Sequence, residues 1–127
     1  MALAGALAGC GLSVQSADLF LLTRTGQGPK LTLLVSDSGS IRCDGGKSRP
    51  LSDSLLIQAR DLSDNLAQDA ANKLSLPSRR GTVFAYRVTL QQGTIAFSDR
   101  DTKGHIELAQ TELFAVQAAQ QACGLSG

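Results

Sequence analysis

Two stretches of the chain alternate strictly, and that alternation does most to limit the fold. Lys30 to Ser36 (KLTLLVS) places Leu31, Leu33 and Val35 on one phase of a two-residue repeat. Val83 to Leu90 (VFAYRVTL) does the same with Phe84, Tyr86, Val88 and Leu90. Successive side chains of a strand point to opposite faces, so each pattern describes a strand buried on one side only. Such strands need a cover. The helix that supplies it is legible at 50–74, where Leu55, Ala59, Leu62, Leu66, Ala70 and Leu74 recur at three- and four-residue steps. Ser52 and Asp53 follow Pro50 and can accept hydrogen bonds from the free N–H groups of the first turn.

The remaining elements follow from turn chemistry. Asp18 to Thr25 (DLFLLTRT) suits a strand, and Gly26-Gln27-Gly28-Pro29 turns the chain into the first alternating segment. Asp37-Ser38-Gly39-Ser40 is a second turn, and Ile41-Arg42-Cys43 begins the returning strand. Asp44 to Arg49 reads as a loop, and so does the basic stretch Ser78 to Gly81. After Val83–Leu90, Gln91-Gln92-Gly93 leads to a strand over 94–98 with Ile95 and Phe97 inward. A last helix is expected from Ile106 to Cys123, with Leu113, Val116 and Cys123 on its buried stripe and Gly124 ending it. The order is βββα–ββα. The expected class is α+β, an antiparallel sheet of about five strands with both helices on one face.

Composition narrows the function classes. A chain of 127 residues fits one domain. Net charge is +1, with acids and bases mixed, so nothing offers nucleic acid a basic stripe. Aromatics are scarce (four Phe, one Tyr, no Trp), too few for a stacking platform. No apolar run approaches the ~20 residues of a membrane-spanning helix.

The three cysteines differ in setting. Leu7-Ala8-Gly9-Cys10 resembles the lipobox of bacterial lipoproteins. That resemblance implies cleavage before Cys10 and a lipid on it. Residues 1–10 then form a truncated signal segment, 11–17 a linker holding the domain off the membrane, and 18–125 the domain. The sequence departs from the family in that no Lys or Arg precedes the short apolar stretch. The competing reading is an Ala/Gly-rich tail with an unmodified cysteine. If Cys10 is reserved for lipid, an even pair is left, Cys43 at a strand end and Cys123 at a helix end. An oxidising compartment would favour their disulfide, which would close a long loop. Two buried free thiols are the alternative. The single His105 has no partner at ligand spacing, so no metal or other cofactor is expected.

Three constellations invite a chemical reading. Gly45-Gly46-Lys47-Ser48 lies between strand and helix, but a phosphate loop needs a further glycine where Ile41 stands. His105, near Asp99, Asp101 and Glu107, lacks a nucleophile elbow, so no catalytic residue is assigned and the chain is not expected to be an enzyme. Asp37, Asp44, Asp99 and Asp101 suit turns better than the spacing of a calcium loop.

Arg79 and Arg80 are consecutive bases on the loop after the first helix. The layout from Thr32 through Asp44 to Leu66, followed by an exposed loop and a hairpin, resembles subtilisin-inhibitor-like proteins in architecture. That likeness implies that Leu74 to Gly81 is a protease-binding loop, with Arg79 or Arg80 setting specificity. The family's bracing cysteine has no counterpart between Cys43 and Cys123. The expected function is therefore a lipid-anchored, non-catalytic binding or accessory module of the bacterial envelope. A serine-protease inhibitor is the alternative. The expected contacts are the membrane, through the lipid alone, and a protein partner at the envelope, with no nucleic acid.

Overall fold

The computed structural model describes residues 14–125. Six strands form one antiparallel sheet: β1 (Asp18–Gly26), β2 (Leu31–Ser36), β3 (Ser40–Cys43), β4 (Ser48–Pro50), β5 (Phe84–Leu90) and β6 (Gly93–Ser98). Their spatial order is β4-β3-β2-β1-β5-β6. Two helices, α1 (Asp53–Ala71) and α2 (Ile106–Gln121), complete an α+β fold of order ββββα–ββα. The expected class holds. The additional strand, β4, lies where the sequence suggests a loop and the approach to a helix, because Ser48-Arg49-Pro50 is polar, fully on the edge and too short to alternate.

The alternation seen in the sequence decides which face is covered. Phe20, Leu22, Leu31, Leu33, Val35, Ile41, Val88, Leu90, Ile95 and Phe97 are all buried, on the face that the helices cover. Leu21 stands opposite Leu34 on the other face, and both are only half-buried.

Both helices run across the strands rather than along them. α1 begins beside the β2–β3 turn, where Leu51 N–H donates to Gly39 O, and ends at the β5–β6 turn. At 19 residues it is about 28 Å long, close to the ~24 Å spanned by six strands. Gly93 permits the close approach at its end, since a Cβ there would strike the Ala70 carbonyl oxygen. α2 starts beyond the end of β6 and runs back, antiparallel to α1, to the end of β3. Cys123 is there joined to Cys43 in a disulfide with Cα atoms 5.9 Å apart. The two helices thus divide the covered face. α1 lies over the end where β1 begins, and α2 over the end where β1 stops.

α1 follows the sequence pattern closely. Ser52 caps it through Leu55 N–H, and Leu55, Ala59, Leu62, Leu66 and Ala70 are its buried stripe. α2 does not. Leu113, expected inward, is 55% exposed, and Val116 is only half-buried. The buried residues are Leu108, Thr111, Phe114, Ala115, Ala118 and Ala119. In an Ala-rich helix the apolar residues encircle the axis, so periodicity does not select a face. Packing selects it instead, with Phe114 set edge-on against Phe20 at 5.6 Å.

Cys10 and most of the expected linker lie outside the described residues. The described part of that linker is tied down. Gln91 Nε2 donates to Gln15 O at 2.6 Å, and Asp37 N–H donates to Ala17 O at 2.9 Å. Residues 15–17 therefore belong to the folded body.

Candidate functional site

The loop carrying Arg79 and Arg80 is held without a cysteine. Leu76 N–H donates to Ala96 O and Ala96 N–H to Leu74 O, so Ser75 extends the sheet at the free edge of β6 in parallel. Arg79 Nη2 donates to Asp101 Oδ1 at 3.0 Å and to Arg100 O at 2.6 Å. Asp101 is itself buried in a capping box, its other oxygen accepting from Ser98 N–H and Oγ. Arg80 and Gly81 occupy the centre of a β-turn closed by Thr82 N–H on Arg79 O, and Gly81 has φ +87°. A positive φ at the third position is what a type II turn requires, hence the glycine. Only Arg80 is left projecting from the turn without a hydrogen bond or ion pair to a described residue.

The other sequence candidates separate. Gly45 and Gly46 form the turn between β3 and β4, with Gly46 N–H on Cys43 O, and no helix starts there. His105 precedes α2, exposed and making no side-chain cap. The aspartates serve separate turns. Asp37 pairs with Arg60 at 2.7 Å, Asp44 Oδ1 accepts Thr32 N–H, and Asp99 Oδ1 accepts both Val83 and Phe84 N–H.

The arrangement with the most chemistry lies elsewhere, between α2 and the far ends of β1 and β5. Arg24 continues the phase of Phe20 and Leu22 and so points toward the helices. Its register partner is Tyr86, and Phe84 pairs two residues on with Gly26. The guanidinium carbon of Arg24 sits 4.5 Å from the centre of the Phe84 ring. Arg24 Nε is shut away from solvent and meets no acceptor among the described residues. Leaving such a donor unmatched costs about 1–3 kcal/mol. Tyr86, stacked on Phe97 with ring centres 5.0 Å apart, donates its hydroxyl to Glu112 Oε2 at 3.3 Å.

These groups line a groove of roughly 330 Å³ together with Ala109, Leu113 and Val116 of α2. Burial is the main influence on both titrating groups. It raises the Glu112 carboxyl above the usual range, with Asp99 adding to the effect and the Tyr86 hydrogen bond opposing it. Burial likewise pushes the Tyr86 hydroxyl well above its ordinary value, helped by the nearby Glu112 charge and opposed by Arg24.

A second perturbed group sits between the helices. Burial, then the hydrogen bond and charge of Glu107, raise Asp69, and His105 pulls the other way. Asp69 Oδ2 is buried without a partner among the described residues.

The Arg24 groove is not among the sites that the sequence pattern suggests. A signal is present in the sequence, since Arg24 stands on the same phase of its strand as the apolar Phe20 and Leu22. A charge in that phase needs either a partner or a mouth to solvent.

No family model, curated protein or solved structure matches this chain.

Proposed function

We propose that this chain is a lipid-anchored, non-catalytic binding module of a bacterial cell envelope, tethered through Cys10 and presenting the Arg24–Glu112 groove away from the membrane. The Cys43–Cys123 disulfide carries the reading, because such bonds persist in oxidising compartments. It uses two of the three cysteines and leaves the one in the lipobox-like segment. No helix among the described residues is long and apolar enough to cross a membrane, so a lipid would supply the attachment.

Geometry supports the orientation. Gln15 is bonded to the end of the sheet where β1 begins, and only residues 11–14 stand between it and Cys10. That segment reaches at most about 18 Å. A lipid on Cys10 would hold the α1 end of the sheet near the bilayer, with the Arg24 groove at the opposite end of β1. The protease-inhibitor reading draws no support from its loop. A protease cleft takes an extended strand, whereas Arg80-Gly81 lies within a β-turn and Arg79 is engaged by Asp101.

The test uses protein isolated from its own cells, labelled with radioactive palmitate. Label on the wild type, absent from Cys10→Ser, together with a two-hydrogen mass gain on reduction, is the expected result. Unlabelled wild-type protein in the soluble fraction would end the proposal.

A further inference from the structure

We propose that the groove between α2 and the ends of β1 and β5 binds a small zwitterion, its carboxylate on the Arg24 guanidinium and its ammonium on Glu112. The inference takes the binding-module reading as its premise and supplies the ligand class.

Arg24 is the unmatched group. Among the described residues it has neither a carboxylate within ion-pair distance nor a hydrogen-bond acceptor, and Phe84 holds it face-on at 4.5 Å. Two other arginines are held in ion pairs. Arg60 has Asp37 and Arg79 has Asp101. A guanidinium offers a planar fork of donors that matches a carboxylate in two parallel hydrogen bonds. Here Nε is enclosed and the Phe84 ring fixes the guanidinium plane, so the Nη groups are the donors left open to a bound carboxylate.

A simple anion is a poor fit, because Glu112 lines the same groove and would repel it. Glu112 accepts one hydrogen bond, from Tyr86 at 3.3 Å, and has no cation within ion-pair distance among the described residues. Arg24 and Glu112 therefore stand as two unpaired charges of opposite sign in one groove, with Tyr86 between them. A ligand carrying both complementary charges satisfies both. The space, roughly 330 Å³, is at the small end of ligand sites, and Val116, Ala109 and the Phe84 ring give it apolar walls. A small amino acid or ω-amino acid with an apolar body has the required chemistry.

The experiment uses the full chain carrying Cys10→Ser, disulfide intact and nitrogen-15 labelled. Four probes are titrated: leucine, 6-aminohexanoate, 4-methylpentanoate (leucine without its ammonium) and 3-methylbutylamine (leucine without its carboxylate). At least one zwitterion is expected to shift the Arg24 Nε–H resonance saturably, binding at least about tenfold more tightly than either one-ended probe. Arg24→Gln and Glu112→Gln should each weaken that zwitterion by about tenfold or more, while Arg100→Gln leaves it unchanged. An unperturbed backbone spectrum for each variant separates lost binding from lost fold. The proposal is overturned if neither zwitterion moves the Arg24 signal at millimolar concentration. It is equally overturned if 4-methylpentanoate binds as tightly as the zwitterions. Palmitate labelling of Cys10 is indifferent to either result, so failure of the ligand and failure of the anchored-module reading are read separately.

Discussion

The two helices make an instructive pair. α1 is specified locally: a Ser52 cap, a five-residue buried stripe and an Arg60–Asp37 pin to the β2–β3 turn. α2 has no side-chain cap at its start, and its Ala-rich surface does not define a face. The three buried side-chain atoms without partners among the described residues all lie at α2 or against it: Arg24 Nε, Gln117 Oε1 and Asp69 Oδ2. The unmet polar chemistry thus gathers around α2, although Arg24 belongs to β1 and Asp69 to the last turn of α1. The end of α2 is instead joined to β3 by the disulfide, which stabilises chiefly by restricting the unfolded chain.

The sharpest way to break this comparison is to remove the staple. Replacing both Cys43 and Cys123 by Ala frees a loop 80 residues long and should cost about 4–5 kcal/mol in denaturant unfolding, strain aside. Hydrogen exchange should then accelerate in α2 well before α1. Uniform acceleration would show that the helices are equally dependent on the crosslink.

Core truncation tests which residues anchor each helix. Leu66→Ala, at a fully buried position, should cost about 2–5 kcal/mol. Leu113→Ala, at a residue 55% exposed, should stay within about 0.5 kcal/mol. Similar losses from the two would restore Leu113 to the buried stripe that the sequence suggested.

The caps provide a smaller contrast. Ser52→Ala should cost about 1 kcal/mol by thermal unfolding, since Leu55 N–H loses its acceptor. His105→Ser offers α2 the cap it lacks and should raise stability by up to about 1 kcal/mol. A loss instead would mean that the imidazole stabilises α2 in another way.

The smallest effect concerns pH. Asp69 binds its proton more tightly folded than unfolded, so its contribution is present in acid. It is lost as pH rises from the ordinary carboxylate value through the raised one. Asp69→Asn keeps the group neutral. It should be more stable than the wild type at pH 7, by no more than about 0.5 kcal/mol, and show no gain at pH 3. Melting curves at the two pH values measure the difference. A gain that does not depend on pH would exclude the carboxyl pair as its source.

Much of the sheet was legible because alternation is a local property. Leu31, Leu33 and Val35, and likewise Tyr86, Val88 and Leu90, can place one face in a core in only one phase. The stripe and cap of α1 were legible for the same reason, as was the union of Cys43 with Cys123 once Cys10 was set apart. β4 was not, because a three-residue polar edge strand exists only through its pairing with β3. The bracing of the Arg79 loop was not either, since Asp101 is 22 residues away in sequence.

The sequence alone determined the class of fold, the buried phase of each long strand and the residues available for a crosslink. These follow from periodicity and from the chemistry of single side chains. The tertiary structure decided which side of α2 faces inward, which arginine lost its freedom and which kept an unmatched guanidinium. Those outcomes depend on groups brought together from distant parts of the chain, and no local pattern encodes which of several similar side chains will meet a partner.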